Sequence, residues 1–217
     1  MMTALSAIFG LLVSIVIHLV PIRTRTGVSD GLWRLAAIKR DQYDDRSIAA
    51  WLLKASSIAG LRPREWNPEL VKRAFGGTAV SREAKWLEYN WYADTGQLHE
   101  AAALIEWWLQ QDQISRVEKA IWWYEAAWFE AFSVGNLARA RERFQAAEAF
   151  KGDGGAECSE WKARAAIAAG EGRIADTAYA ADRARQVLRH LPIDEGLDKG
   201  IREDLSTLLE SAQVRQP

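Results

Sequence analysis

The residue types that most often carry enzyme chemistry are few in this chain and widely separated. Its three histidines are His18, His99 and His190. A helical zinc site of the His-Glu-x-x-His type needs two histidines four positions apart, with the glutamate as general base. Only His99 is followed by a glutamate, and Ala103 stands where the second histidine would be. The sequence therefore predicts no such zinc site and no catalytic residue.

Two other segments contain residue types found in active sites, but their surroundings argue against a catalytic or phosphate-binding role. Cys158 is the single cysteine, which excludes an intramolecular disulfide and a cysteine-based zinc cluster. It lies between Glu157 and Glu160, and nearby carboxylates raise the pKa of a thiol, so we expect a poor nucleophile. The glycine-rich run at 152–155 lacks the lysine and the preceding strand of a phosphate-binding loop.

The bulk composition favours helices. Glycine (15) and proline (5) are sparse among 217 residues, while Ala, Glu, Arg, Leu and Trp are abundant. These abundant residues lose little on entering a helix, and few helix breakers interrupt them. The formal net charge is −1, so no excess charge attracts nucleic acid. We expect an all-α protein without a nucleic-acid partner.

A long uncharged run at residues 3–20 contains no Asp, Glu, Lys or Arg. As an α-helix it would rise about 27 Å, close to the hydrocarbon thickness of a bilayer. No Lys or Arg precedes it and no small-x-small cleavage site follows it, which favours a retained transmembrane helix over a signal peptide. Arg23 and Arg25 come just after it, which predicts a single-pass protein with a cytoplasmic body. A buried core helix is the alternative.

The rest of the chain has the spacing of short helices. In the segment 21–80, which we interpret as a linker with short helices, Asp45 is expected to cap a helix over 46–59 that Gly60 terminates. Asn67 and Pro68 form a second helix start. We expect a helical repeat domain over 81–213, with its first helix at 82–94 after Ser81.

An internal repeat appears within this domain. The segment from Tyr92 to Ala101 recurs from Ala131 to Ala140, and more weakly from Ala168 to Thr177. Each copy has a turn glycine, then an apolar residue two positions later, then a small residue. We expect the apolar residues in the hairpin interfaces and the small ones where two helices approach closely. The three sets are Gly96, Gly135 and Gly172; Leu98, Leu137 and Ile174; and Ala101, Ala140 and Thr177.

This pattern resembles the tetratricopeptide repeat over residues 82–190. The resemblance implies stacked α-hairpins that bind a protein or peptide. The glycines are 39 and 37 residues apart, whereas the usual repeat is about 34 residues long. The proline expected between repeats is absent. A generic array of α-hairpins fits the same pattern.

Eleven tryptophans are mostly placed in these hairpins. Neighbouring residues on a helix point about 100° apart, so adjacent tryptophans cannot both face one core. Core packing between stacked hairpins is the simplest interpretation. The alternative is that some line a groove for a peptide, with basic residues of the 139–143 segment as contacts to an acidic partner. The partner-binding candidates are Trp91, Trp108, Trp123, Arg139 and Arg143.

A second resemblance covers residues 10–40. His18-Leu19-Val20-Pro21 ends the apolar run, and Ser29-Asp30-Gly31 follows. These motifs resemble a late core helix of the site-2 protease family of intramembrane zinc metallopeptidases, with His18 in place of the usual asparagine. The resemblance implies that Asp30 is a zinc ligand and that residues 19–21 clamp substrate. The alternative for Asp30 is an early helix residue favoured by the helix dipole.

Two functions are therefore expected. In the first, a transmembrane helix carries a tetratricopeptide-like array that acts as a protein-protein interaction module, with no cofactor and no catalysis. In the second, the chain is a C-terminal fragment or degenerate relative of a site-2-protease-like peptidase, and zinc is its cofactor. Its membrane lipid contacts are expected through residues 3–20 in both.

Overall fold

A computed structural model describes residues 42–75, 81–152, 154–191 and 193–214. Within these ranges the chain forms nine α-helices and no strand, so the prediction of an all-α fold is confirmed for this part. No helix in the described ranges is both long and apolar enough to cross a membrane. The predicted transmembrane helix at 3–20 and the candidate zinc ligand Asp30 lie outside the described residues.

The helices follow one another with short connections. In chain order they are α1 (Gln42–Ile58), α2 (Pro68–Phe75), α3 (Arg82–Asp94), α4 (Leu98–Leu109), α5 (Arg116–Phe129), α6 (Leu137–Glu148), α7 (Glu157–Gly170), α8 (Ile174–Leu188) and α9 (Glu195–Val214). A 3₁₀ turn at Pro63–Glu65 precedes α2, and a π-helical segment at Glu130–Val134 extends α5.

Several helix boundaries follow the local sequence signals. Gly60 has a φ of 87° just after α1, the left-handed conformation that glycine adopts without steric cost. Asn67 accepts hydrogen bonds from the amides of Glu69 and Leu70, and Ser81 accepts one from Ala84. Helix α1 begins at Gln42, ahead of the predicted start at 46.

Three consecutive helical hairpins form the centre of the molecule: α3 with α4, α5 with α6, and α7 with α8. Gly96, Gly135 and Gly172 stand at their turns with φ of 74°, 78° and 73°. The three glycines identified from the repeat therefore have the same structural role. Each occupies the turn of its hairpin in a left-handed conformation that other residues rarely adopt.

The small residues of the repeat lie where helices approach most closely. Ala101, Ala140 and Thr177 are completely buried, as predicted. The apolar residues behave differently from one hairpin to the next. Leu98 is 38% exposed, so it is covered only in part. Leu137 instead packs against Gly170 at the end of α7, where an added Cβ would overlap its side chain.

Helix α9 returns to the N-terminal part of the described chain. It packs on α7, α8 and α1. Gly196 faces the carbonyl groups of Leu61 and Ser57 so closely that a Cβ would meet the Leu61 carbonyl carbon at 2.7 Å. An ion pair between Lys54 and Asp194, 2.7 Å long, spans the same junction. The described helices therefore form one packed body in which the last helix contacts the first.

Candidate functional site

A recess lies between α6, α7 and α8. It has a volume of about 480 Å³. We call it the α6–α8 groove. Its lining residues are Arg141, Phe144, Gln145, Trp161, Arg164, Ile167, Ala168, Glu171, Arg173, Asp176, Tyr179 and Ala180.

The floor of the groove consists of small and aliphatic residues. Ala168 of α7 and Ala180 of α8 are both almost fully buried. Ile167 lies beside them on α7. The alternation of alanines along α7 and α8 lets these two helices pack closely, while α6 remains further off. Space is left above α7 as a result.

Aromatic rings form the walls. Trp161 and Tyr179 meet edge to face with ring centroids 5.8 Å apart. The Tyr179 side chain is 62% exposed, so most of this aromatic ring faces solvent at the edge of the groove. On the α6 side, Phe144 faces the guanidinium of Arg164, which lies 4.9 Å from its ring centroid and 5.5 Å from that of Trp161. Arg164 is thus held between two aromatic faces by cation–π attraction.

A carboxylate at one end of the groove gathers two arginines. Glu171 accepts hydrogen bonds from Arg141 at 2.8 and 2.6 Å and from Arg173 at 2.6 Å. Burial by itself would raise the pKa of Glu171, but the hydrogen bonds from Arg141 and Arg173 outweigh it and lower that pKa. The pKa of Arg173 is raised by its hydrogen bonds to Glu171 and Asp176. Glu171 therefore stays ionised and orients both guanidinium groups.

The guanidinium groups of the groove are more exposed than most of the carboxylates that they pair with. The side chains of Arg141, Arg173 and Arg164 are 58%, 51% and 40% exposed. Their main partners are much less accessible, at 18% for Glu171 and 8% for Glu160. Asp176 is the exception, since it is exposed and paired with Arg173. A ligand approaching the groove therefore meets mostly guanidinium groups, each with donors to spare.

The lining of the groove combines aromatic rings and aliphatic side chains with three arginines and two carboxylates. Aromatic and aliphatic surface together with forked arginine donors is suited to binding an apolar side chain and a carboxylate in one ligand.

The five residues predicted to contact a partner lie elsewhere. Trp108 is 4% exposed and stacks on Trp122 with ring centroids 4.7 Å apart, so it packs in the core, which was the simplest interpretation of the tryptophans from the sequence. Trp91 packs at 6.4 Å from Phe75. Trp123 is partly buried beneath the guanidinium of Arg143, which is 5.1 Å from its ring.

The two predicted arginines join α6 to α4. Arg139 and Arg143 both donate to Glu106, and Arg139 also pairs with Glu130 at 3.1 Å. Arg141 of the same helix points the other way and pairs with Glu171 at the end of α7. The arginines of α6 therefore connect this helix both to α4 and to the turn between α7 and α8.

A second polar cluster lies deep between α5 and α7. Lys162 is 3.0 Å from both carboxylate oxygens of Glu125, and Ser159 donates to the same carboxylate at 2.7 Å. The Lys162 ammonium also lies 5.2 Å from the ring centroid of Trp128. Because these groups satisfy one another and are buried, they join two helices and offer no open position to a ligand.

Cys158 and the metal-ligating residue types are the remaining chemical candidates in the described part of the chain. Burial is the main cause that raises the pKa of Cys158, and the carboxylate of Glu125 adds to it. The direction agrees with the sequence, but the sequence attributed it to the neighbouring glutamates. No group of three or more His, Cys, Asp or Glu side chains in the described ranges is arranged to hold a metal ion.

Sequence reasoning missed Trp161, Arg164 and Tyr179 as a set. Trp161 and Arg164 are three residues apart, a spacing that places them on one helical face, and this signal was available. Their meeting with Tyr179 and Phe144 depends on how α6 and α8 flank α7, which no local pattern encodes.

Comparison of the chain with protein-family models, with curated proteins and with solved structures returned no match.

Proposed function

We propose that this protein is a membrane-anchored helical-repeat module that binds a peptide segment of a partner protein, without catalysis of its own. The α6–α8 groove is the single observation that carries the proposal. It combines aromatic walls, an aliphatic floor and outward guanidinium groups in a recess large enough for several side chains.

The chemistry of the groove favours an acidic peptide with an aromatic or branched apolar residue. Such a residue would pack against the exposed ring of Tyr179, and neighbouring carboxylates would meet Arg141 and Arg173. Arginine forks bind carboxylates in two parallel hydrogen bonds, and exposed rings lose little conformational entropy on binding.

The repeat and the apolar run complete the proposal. Three hairpins with a left-handed glycine at each turn and a fully buried small residue in each second helix support a tetratricopeptide-like array. The uncharged run at 3–20 supports a bilayer anchor with the array on the cytoplasmic side.

The binding site is tested with peptides selected from a random displayed library on the purified full chain in detergent. We expect the selected peptides to combine Asp or Glu with an apolar residue. Tyr179→Ala and Arg141→Ala should each weaken their binding about tenfold, the equivalent of about 1.4 kcal/mol. Affinity should also fall with added salt, because exposed ion pairs are screened.

Trp51→Ala is the matched control. Trp51 is an equally exposed aromatic residue on α1, outside the groove, so its removal should leave peptide affinity unchanged. If Tyr179→Ala and Arg141→Ala bind the selected peptides as well as the native chain, the groove is not the site.

A second candidate function is favoured by the motifs at His18–Pro21 and Asp30–Gly31. In it, the described helices are the tail of a site-2-protease-like zinc metallopeptidase and Asp30 is a zinc ligand. Metal analysis of the purified chain decides between the two. Stoichiometric zinc that Asp30→Ala abolishes would favour the peptidase. A zinc-free chain, together with upstream DNA that encodes no in-frame His-Glu-x-x-His, would refute it.

A further inference from the structure

Helix α1 carries apolar residues on two opposite faces. The inner face, with Ala49, Leu53 and Ser57, is fully buried against the rest of the body. The outer face has Trp51 at 60% exposure and Ile58 at 58%. A helix that is apolar on both sides is typically covered on both sides.

The outer face is broad and apolar from Ile48 onward. At 100° per residue, Ile58, Trp51, Ala55, Ile48, Ala59 and Leu52 fall within one arc of about 120°. Asp44, one turn before Ile48, falls in the same arc and marks the N-terminal end of this apolar surface. Leu61, also exposed, extends this surface beyond the helix end. We call these seven residues the α1 outer face. Contiguous apolar surface of this kind marks an interaction site.

Two charged side chains of α1 are engaged by other helices. Asp45 pairs with Arg73 of α2, and Lys54 pairs with Asp194 at the start of α9. Both pairs therefore lie at junctions with other helices. The α1 outer face lies beside these charged positions, and an apolar face flanked by charged residues is typical of a helix that lies in a membrane interface.

The chain itself indicates which surface is within reach. The uncharged run ends at Val20, and α1 begins at Gln42. The intervening 21 residues span at most about 75 Å when extended. They carry five Lys or Arg against two Asp, and basic juxtamembrane segments are attracted to anionic headgroups. Trp is also the residue type most enriched at the headgroup level.

We propose that the α1 outer face docks on the bilayer surface, so that α1 lies in the headgroup region and orients the helical array on the membrane. This inference rests on the membrane anchor of the proposed function. It holds for either candidate function, because both place residues 3–20 in the bilayer.

The test measures the depth of α1 in the full chain reconstituted in vesicles of phosphatidylcholine and phosphatidylglycerol. Ala55→Cys in a Cys158→Ser background supplies one labelling site for the environment-sensitive dye NBD, because Cys158 is the single native cysteine. We expect a blue-shifted emission that is quenched more by nitroxides near the headgroups than by nitroxides deep in the acyl chains. The matched control, Ala138→Cys on an exposed part of α6, should show little quenching.

Two further measurements keep the proposal falsifiable. Trp51→Ser with Ile58→Ser should abolish the quenching at position 55, and the chain should still resist alkaline carbonate extraction through its anchor. A blue shift at position 55 that depends on protein concentration and is insensitive to lipid nitroxides would overturn the proposal in favour of a second copy of the chain. If carbonate releases the native chain, the anchor fails, and that result is separate from the docking result.

Discussion

The ammonium of Lys162 on α7 lies 3.0 Å from both carboxylate oxygens of Glu125 on α5, and both side chains are almost fully buried. Burial by itself lowers the pKa of Lys162, but the charge of Glu125 outweighs it and raises that pKa above 10.5. The Lys162 ammonium is therefore charged at neutral pH, and its contact with Glu125 connects the second hairpin to the third.

Removing one partner of this pair should destabilise the protein strongly. Lys162→Met leaves a buried carboxylate without its ammonium partner, which costs about 3–5 kcal/mol. Urea denaturation followed by circular dichroism measures the loss. Lys199→Met, at an exposed position on α9, should change stability by less than about 0.5 kcal/mol.

The double variant distinguishes a lost charge pair from lost packing. Glu125→Leu with Lys162→Met should be more stable than Lys162→Met alone, because no uncompensated charge remains buried. The same stability for the single and double variants would contradict this account. The contribution of the native pair should persist at neutral pH and be lost as the pH rises through the raised pKa of Lys162.

Asp94 should make the stability depend on pH in acid. Burial would raise the pKa of Asp94, but hydrogen bonds from Arg64 and Arg62 outweigh it and lower that pKa below 3.8. Its contribution is therefore present above pH 3.8 and is lost as the pH falls through the lowered pKa of the folded state.

Asp94→Asn tests this sign. At pH 7 it should cost about 2–3 kcal/mol, because hydrogen bonds to charged groups are lost and Arg62 is buried. The difference from the native chain should shrink as the pH falls below 3.8. Asp112→Asn, at an exposed site, should differ little from the native chain at any pH. A constant deficit for Asp94→Asn down to pH 2 would contradict the assignment.

The contact between α9 and the end of α1 should depend on Gly196. A Cβ there would lie 2.7 Å from the carbonyl carbon of Leu61 and 3.1 Å from the carbonyl oxygen of Ser57. Since backbone cannot yield as a side chain does, Gly196→Ala should destabilise by about 1–3 kcal/mol. Gly152→Ala has nothing within 4 Å and should be neutral. Thermal unfolding of the two variants gives the comparison, and equal stabilities would refute the close contact.

Replacing the small buried residue of a hairpin by a larger one should destabilise the protein. Ala140 is completely buried on α6, whereas Ala138 on the same helix is exposed. Ala140→Leu should cost about 1–3 kcal/mol through overpacking, and Ala138→Leu should cost little. Urea midpoints measure both changes. A stable Ala140→Leu variant would show that the hairpin interface has unfilled space.

Turns and helix ends were predicted correctly from the sequence where a single residue determines the local backbone conformation. Gly96, Gly135 and Gly172 were identified as turns from the repeat alone, and each adopts a positive φ. Asn67 was identified as part of a helix start, and its side chain accepts a hydrogen bond from a backbone amide there. The helix predicted at 82–94 after Ser81 is present. These features depend on residues within a few positions of one another, so the sequence contains all the information that they need. The cap predicted at Asp45 was wrong, because the helix already begins at Gln42.

Features that involve distant residues were predicted less well. Trp108 and Arg143 are chemically suited to a partner, yet one stacks in the core on Trp122 and the other covers Trp123. Composition cannot tell a tryptophan that packs between hairpins from one that lines a groove, because both need the same helical spacing.

By itself, the sequence determined the helical class, the three hairpin turns and the small residues at their interfaces, because these depend on short-range propensity and backbone sterics. Only the tertiary structure decided which partners the arginines of α6 take and which rings stay exposed. Arg139 and Arg143 connect α6 to Glu106 of α4, whereas Arg141 pairs with Glu171, and Tyr179 is exposed beside the α6–α8 groove. That difference depends on the spacing and rotation of successive hairpins, which packing over the whole body determines.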